Sequence, residues 1–196
     1  MNFVKIVGAA AAALAFSAAH ATAIDLDFSG YSYGSHVGSL DGVTFSLKGG
    51  ADAIGTPTIT NWIGSGELVN SNSTDYPTAT ILKFSFGQAV TDVSFAFDNE
   101  GYSDSGRGHT YFQAFNAAGA LLDTVYYDGY DTNYSFGSTT GISSIEFNNG
   151  TNGTDSWIFG VESLSAVTAV PEPTEAALFL AGLGLMGAVA RRKSRV

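Results

Sequence analysis

The chain has 196 residues, no cysteine, and 18 Asp or Glu against 8 Lys or Arg, a net charge of −10 at pH 7. The missing thiols exclude disulfides, thiolate catalysis, sulfur-ligated zinc and iron–sulfur clusters, so any fold must rest on its core and its hydrogen bonds. Between residues 24 and 170 sixteen carboxylates face only Lys48, Lys83 and Arg107, a net of −13, which repels phosphate backbones and excludes nucleic acid as a partner.

Residues 1–23 have the three parts of a secretory signal. Lys5 supplies the positive start, residues 6–15 an apolar stretch, and Ala21-Thr22-Ala23 a small-x-small cleavage site with the cut after Ala23. Ten apolar helical residues cover roughly 15 Å, about half the hydrocarbon thickness, too little for a lasting membrane span. The secretion machinery is therefore an expected partner, and residues 24–170 form the expected mature domain, of a length suited to one core.

That domain is written in period two. Leu26 and Phe28 open it, and residues 43–47 follow as a second strand. Leu82, Phe84 and Phe86 then alternate with Lys83 and Ser85, and Val93, Phe95 and Phe97 with Ser94 and Ala96, the signature of strands buried on one face. Gly87-Gln88-Ala89 between these runs predicts a hairpin. Residues 110–116 and 121–127 make a second pair turning at Ala117-Ala118-Gly119, and residues 142–147 and 157–164 are the last strands. No stretch sustains a helical period over three turns. Many short strands separated by Gly, Asn, Asp and Ser predict an all-β, antiparallel β-sandwich with jelly-roll-like topology.

Several motifs lie on the loops of this domain. Gly30-Tyr31-Ser32-Tyr33-Gly34 fits the nucleophile elbow G-x-S-x-G, but that elbow needs a strand-to-helix turn, and no helix follows Gly34. His36 and His109 are the histidines left after signal cleavage, each beside glycine in an expected loop without a catalytic partner at recognisable spacing. Asp98, Glu100 and Asp104 cluster between two strands and are the calcium candidates, since calcium takes carboxylate oxygens in flexible geometry, although no EF-hand pattern is present. Tyr126, Tyr127, Tyr130 and Tyr134 crowd a segment with Asp128, Asp131 and Asn133. A tyrosine has an apolar face that can stack on a sugar ring and a polar tip, which makes Tyr127, Tyr130 and Asp131 candidate sugar contacts, with edge-strand or core packing as the competing role. The opening Asp25-Leu26-Asp27-Phe28 with Gly42-Val43-Thr44-Phe45, and the closing strands 142–147 and 157–164, resemble those of lectin-like and carbohydrate-module sandwiches.

The C-terminus has its own ordered parts: Pro171-Glu172-Pro173, an uncharged apolar stretch at about 176–190, and a basic tail with Arg191, Arg192, Lys193 and Arg195. Cations directly after an apolar segment stay on the cytoplasmic side and leave the preceding domain outside, the orientation that the signal peptide also gives. Gly182-Leu183-Gly184-Leu185-Met186-Gly187 matches a dinucleotide fingerprint, but it lies within this apolar segment and lacks the βαβ setting the fingerprint requires. Motif, helix and basic cluster together resemble the PEP-CTERM sorting signal of Gram-negative bacteria, covering about residues 171–196. The resemblance implies handling by an exosortase, a membrane protease that acts near Pro171, Glu172 and Pro173, and an association with exopolysaccharide production. The whole reads as a non-enzymatic, exported surface or extracellular-matrix protein without cofactor, passing through an inner-membrane tethered intermediate. The alternative is a carbohydrate-binding module, calcium-supported, and a secreted hydrolase is a third class for which no catalytic pair is found.

Overall fold

Apolar–polar alternation in the sequence becomes in–out alternation of side chains: on the strand Val43–Gly50, Val43, Phe45 and Leu47 are buried while Thr44, Ser46 and Lys48 are exposed. The structure is a computed structural model and describes residues 21–50, 55–60, 66–72, 79–98, 110–127, 133–137, 141–148 and 159–169. The signal sequence to residue 20 and the sorting segment from residue 170, with its expected membrane helix, lie outside the described residues. Among the described residues no helix is long and apolar enough to cross a membrane. Residues Ala21–Ala169 make one unit.

Among the described residues eleven strands run in chain order: β1 (Ala23–Asp27), β2 (Ser39–Leu40), β3 (Val43–Gly50), β4 (Ile59–Thr60), β5 (Glu67–Val69), β6 (Ala79–Asp98), β7 (Tyr111–Phe115), β8 (Leu121–Tyr126), β9 (Asn133–Phe136), β10 (Ile142–Asn148) and β11 (Gly160–Thr168). Every pairing among them is antiparallel. The described residues are thus all-β, as their periodicity predicts.

The expected hairpin at Gly87-Gln88-Ala89 does not form. Residues 79–98 are one strand, because the backbone at the glycine finds partners elsewhere: Gly87 N donates to Gly42 O at 2.9 Å, and Ala89 O accepts from Ala169 N at 2.8 Å. The strand changes sheets instead of reversing. Its first half pairs with β3 on one side and β10 on the other, and its second half with β11 and β9. Irregular register opposite Thr91, with Asp92 at φ 51°, accompanies the change. One sheet therefore runs β2-β3-β6-β10-β7-β8, and the other runs β4-β5-β11-β6-β9 with β1 beside β11.

The two sheets meet across phenylalanine. Phe95 and Phe97, on the second half of β6, contact Phe147 of β10 at 4.9 Å and Phe112 of β7 at 4.7 Å, both edge-on. Such T-shaped pairs suit the ring quadrupole and add to the burial of about 150–250 Å² per ring. The β7–β8 turn forms at Ala117-Ala118-Gly119 as expected: Asn116 Oδ1 accepts from Ala118 N at 3.0 Å and Ala120 N at 2.9 Å, and Gly119 takes φ 75°.

Candidate functional site

Two places on the sandwich gather polar chemistry. The first is the outer face of the sheet that contains β7 and β8. On β7, Phe112 and Ala114 point to the core, which leaves Tyr111, Gln113 and Phe115 outward. Register carries that face across the sheet: Tyr111 is opposite Tyr126 on β8 and Asn148 on β10, and Gln113 is opposite Thr124 and Glu146. The Tyr111 and Tyr126 rings lie 6.1 Å apart at 52°, and Tyr126 is 63% exposed. Gln113 Nε2 donates to Thr124 Oγ1 at 3.5 Å. Further along the same face, Lys48 Nζ lies 3.1 Å and Lys83 Nζ 3.4 Å from Glu146 Oε1, so one carboxylate sits between two ammonium groups.

The tyrosine segment divides by register. Tyr127 is half-buried, its ring 5.5 Å from Phe97 and 6.0 Å from Tyr134, and Tyr134 is itself buried beside Phe95 at 5.9 Å. Tyr130 and Asp131 lie outside the described residues. The outward ring of this segment is Tyr126, and its ring partner is Tyr111, which the sequence reading did not single out.

The second place is acidic. Glu67 on β5 is completely buried, and neither carboxylate oxygen has a hydrogen-bond partner. A carboxylate oxygen each from Glu67, Asp98 at the end of β6 and Glu162 on β11 lie within 4.8 Å of one another. Burial first, then the neighbouring Asp98 and Glu162 charges, push the Glu67 carboxyl up to about 8. Opposite Glu67 in the β4–β5 ladder stands Thr60, whose hydroxyl is also buried without a partner. Glycines hold this geometry. Gly66 has φ 74°, and a Cβ there would lie 2.6 Å from Phe28 O; a Cβ at Gly160 would lie 2.7 Å from Glu67 Cβ and 2.8 Å from Oε2. Asn70 clips the end of β5 to β11, its Oδ1 accepting from Phe159 N at 3.1 Å.

Of the carboxylates expected to gather around calcium, Asp98 joins this trio, while Glu100 and Asp104 lie outside the described residues. Sequence reasoning missed Glu67 and Glu162. The only local signal was a glutamate within an apolar run, Gly66-Glu67-Leu68-Val69. His36 is exposed, with Nδ1 3.2 Å from Thr56 O and 3.3 Å from Thr58 Oγ1, and it bridges the loop to Thr58. Ser32 lies in a pair of turns marked by Tyr31 N to Phe28 O and Ser35 N to Ser32 O. His109 and residues 171–196, which hold Pro171, Glu172, Pro173 and the basic tail, lie outside the described residues.

Residues 169–193 match the PEP-CTERM protein-sorting motif. The chain thus carries the sorting signal that its C-terminus resembles, a signal for export and exosortase-dependent delivery to the surface or extracellular space. No curated protein sequence matches the chain. Among solved structures it is similar to a mutant of the family 29 carbohydrate-binding module CBM29-2, at 10% identity and a TM-score of 0.43, covering 74% of this chain and 91% of that one. It is also similar to the module BiXyn10A CBM1, at 12% identity and a TM-score of 0.36, covering 74% of this chain and 96% of that one. A third is the family 32 module of C. perfringens NanJ solved with galactose, at 16% identity and 0.31, covering 64% and 93%.

Proposed function

We propose that this chain is a non-enzymatic component of the cell surface or extracellular matrix whose sandwich associates with exopolysaccharide through the outer face ending in Tyr111 and Tyr126. The observation that carries this reading is the tyrosine pair, Tyr126 exposed and Tyr111 half-buried, beside amide, hydroxyl and charged groups. A flat ring offers its apolar face to a pyranose, while Gln113, Thr124 and Asn148 can meet hydroxyl groups. The domain's net negative charge favours a neutral polysaccharide over a polyanionic one. A non-enzymatic role is supported by Ser32, which has no helix behind its turn, and by the His36 ring, whose Nδ1 faces Thr56 and Thr58.

Tyr126→Ala should weaken retention in an affinity gel cast with the native polysaccharide by about 1 kcal/mol, roughly fivefold. Its folding stability should move by no more than about 0.5 kcal/mol, since the ring is largely exposed. Unchanged retention of Tyr126→Ala and of the double variant with Tyr111→Ala would remove the platform.

Processing provides a separate check. β1 uses Ala23, and Thr22 exchanges two bonds with Thr168: Thr22 N to Thr168 Oγ1 at 2.7 Å and Thr168 N to Thr22 O at 2.9 Å. A cut after Ala23 would strip these from the sheet. Ala19-His20-Ala21 has the same small-x-small spacing, and a cut after Ala21 spares the ladder. Intact-mass analysis of surface-extracted protein should find Thr22 at the N-terminus and no basic tail. Detection of Ile24 would restore the later cut, and retention of Arg192 would remove the sorting step. Alanines in place of Pro171, Glu172 and Pro173 should leave export intact and hold the protein in the inner membrane.

A further inference from the structure

The geometry points to a calcium site built by Glu67, Asp98 and Glu162 that fastens the β4–β5 pair to the rest of the sandwich. It stands apart from the polysaccharide face and does not depend on it. What singles it out from an ordinary acidic surface is Glu67. Its side chain has no solvent contact and no hydrogen-bond partner, and it is aimed at two further carboxylates. A buried carboxylate in that position must be neutralised by a proton or by a cation. Neither salt bridge among the described residues reaches it, as Lys48 and Lys83 both turn to Glu146 on the other sheet.

The donor set selects the ion. All the candidate donors are oxygens, three carboxylates together with the orphaned Thr60 hydroxyl on the same face; among the described residues no imidazole joins them, and the chain has no thiolate to favour zinc or copper. Two oxygens on opposite sides of a calcium ion stand about 5 Å apart, given bonds of about 2.3–2.6 Å, and separations within 4.8 Å fit around one such ion. Magnesium holds its water tightly, demands regular octahedral geometry and is rarely caged by protein groups alone. Outside the cell, calcium at about 10⁻⁴–10⁻³ M is the range that extracellular modules are tuned to bind. Gly160 completes the design: any side chain there would occupy the space that Glu67 takes.

Structurally, the ion would tie β5, which the ladder alone holds weakly, to the firmly paired β6 and β11. β5 meets β11 at only two residue pairs, Gly160 with Val69 and Val161 with Leu68, and β4 is held through β5 and the His36–Thr58 bridge. A cation shared by β5, β6 and β11 adds a cross-link where backbone pairing is shortest.

The test uses the exported protein purified from the cell envelope, stripped with chelator and titrated with calcium chloride or magnesium chloride. One calcium should bind per chain by calorimetry, and at tenfold excess over its Kd it should raise Tm by about 3–5 °C. Magnesium should do neither at equal concentration. Glu67→Gln keeps the shape while removing the charge and should abolish the calcium response; Glu162→Gln, on β11, should weaken affinity about tenfold. Asp123→Asn, an exposed carboxylate on β8, should bind as the parent does. A full calcium response in both Glu67→Gln and Glu162→Gln would overturn the site. So would failure of the parent to bind at millimolar calcium, and an equal response to magnesium would overturn the choice of ion. Tyr126→Ala should retain the whole calcium response, so loss of polysaccharide retention and loss of the ion are read separately.

Discussion

In chelator-treated protein, folding stability should fall by about 1.4 kcal/mol for every pH unit between about pH 5 and pH 8. The cause is Glu67. In the unfolded chain it releases its proton near the ordinary 4.5, whereas in the folded protein burial and the Asp98 and Glu162 charges hold the proton to about 8. Below about 4.5 both states are protonated and nothing is lost. Between the two values the folded state carries one more proton than the unfolded, so raising the pH favours unfolding. Above about 8 both are ionised and the loss levels off at about 5 kcal/mol, a large share of a typical domain's stability. Urea unfolding at pH 5, 6, 7 and 8 in the presence of chelator measures the slope. A flat profile, or one that rises with pH, would contradict the burial of Glu67, and Glu67→Gln should flatten the curve of the parent.

Phe147→Ala should lower stability by about 3–5 kcal/mol, the range for truncating a buried aromatic ring, and Tm on the order of 10 °C. Phe147 has no exposed surface and stands where the sheets meet: its ring lies 5.0 Å from Phe84, 4.9 Å from Phe95 and 5.7 Å from Phe112. Neighbours from both sheets border the void, and β-sheet backbones held by ladders on each side close over it poorly. Denaturant unfolding of Phe147→Ala, compared with Tyr126→Ala as an exposed aromatic control, measures the difference. Similar small losses in both would mean that the sheets do not share this core.

What could be read from the sequence was whatever rests on period two. Val43, Phe45 and Leu47, or Phe112 and Ala114, reveal their inward face by spacing alone. β5 reveals nothing in this way, since residues 66–70 are all buried and one of them is a glutamate. Gly87 was legible as a break but not as a bend, because the choice between turning back and changing sheets depends on Gly42 and Ala169, distant partners for its neighbourhood. Tyr126 and Tyr127 differ by one position, and a shift of one residue moves a side chain to the other face of a strand, so composition flagged the segment without choosing the ring. The acidic trio draws on three strands far apart in the chain, and only tertiary pairing unites them.

The long strand β6 also orders events in time. Its partners are β3 early in the chain and β9, β10 and β11 late in it, and β11 is needed by β1 and β5 as well. Only β3 of these four precedes β6, so a chain threaded outward from its N-terminus leaves β6 incompletely paired until Thr168 has emerged. Until then the unpaired edges of β6 are exposed, and such edges invite association with other chains. The sorting motif begins at residue 169, immediately after the last residue of β11. The strand that closes the sandwich and the sorting signal are thus neighbours in the chain, so the domain can be completed only when its C-terminal signal is next to follow.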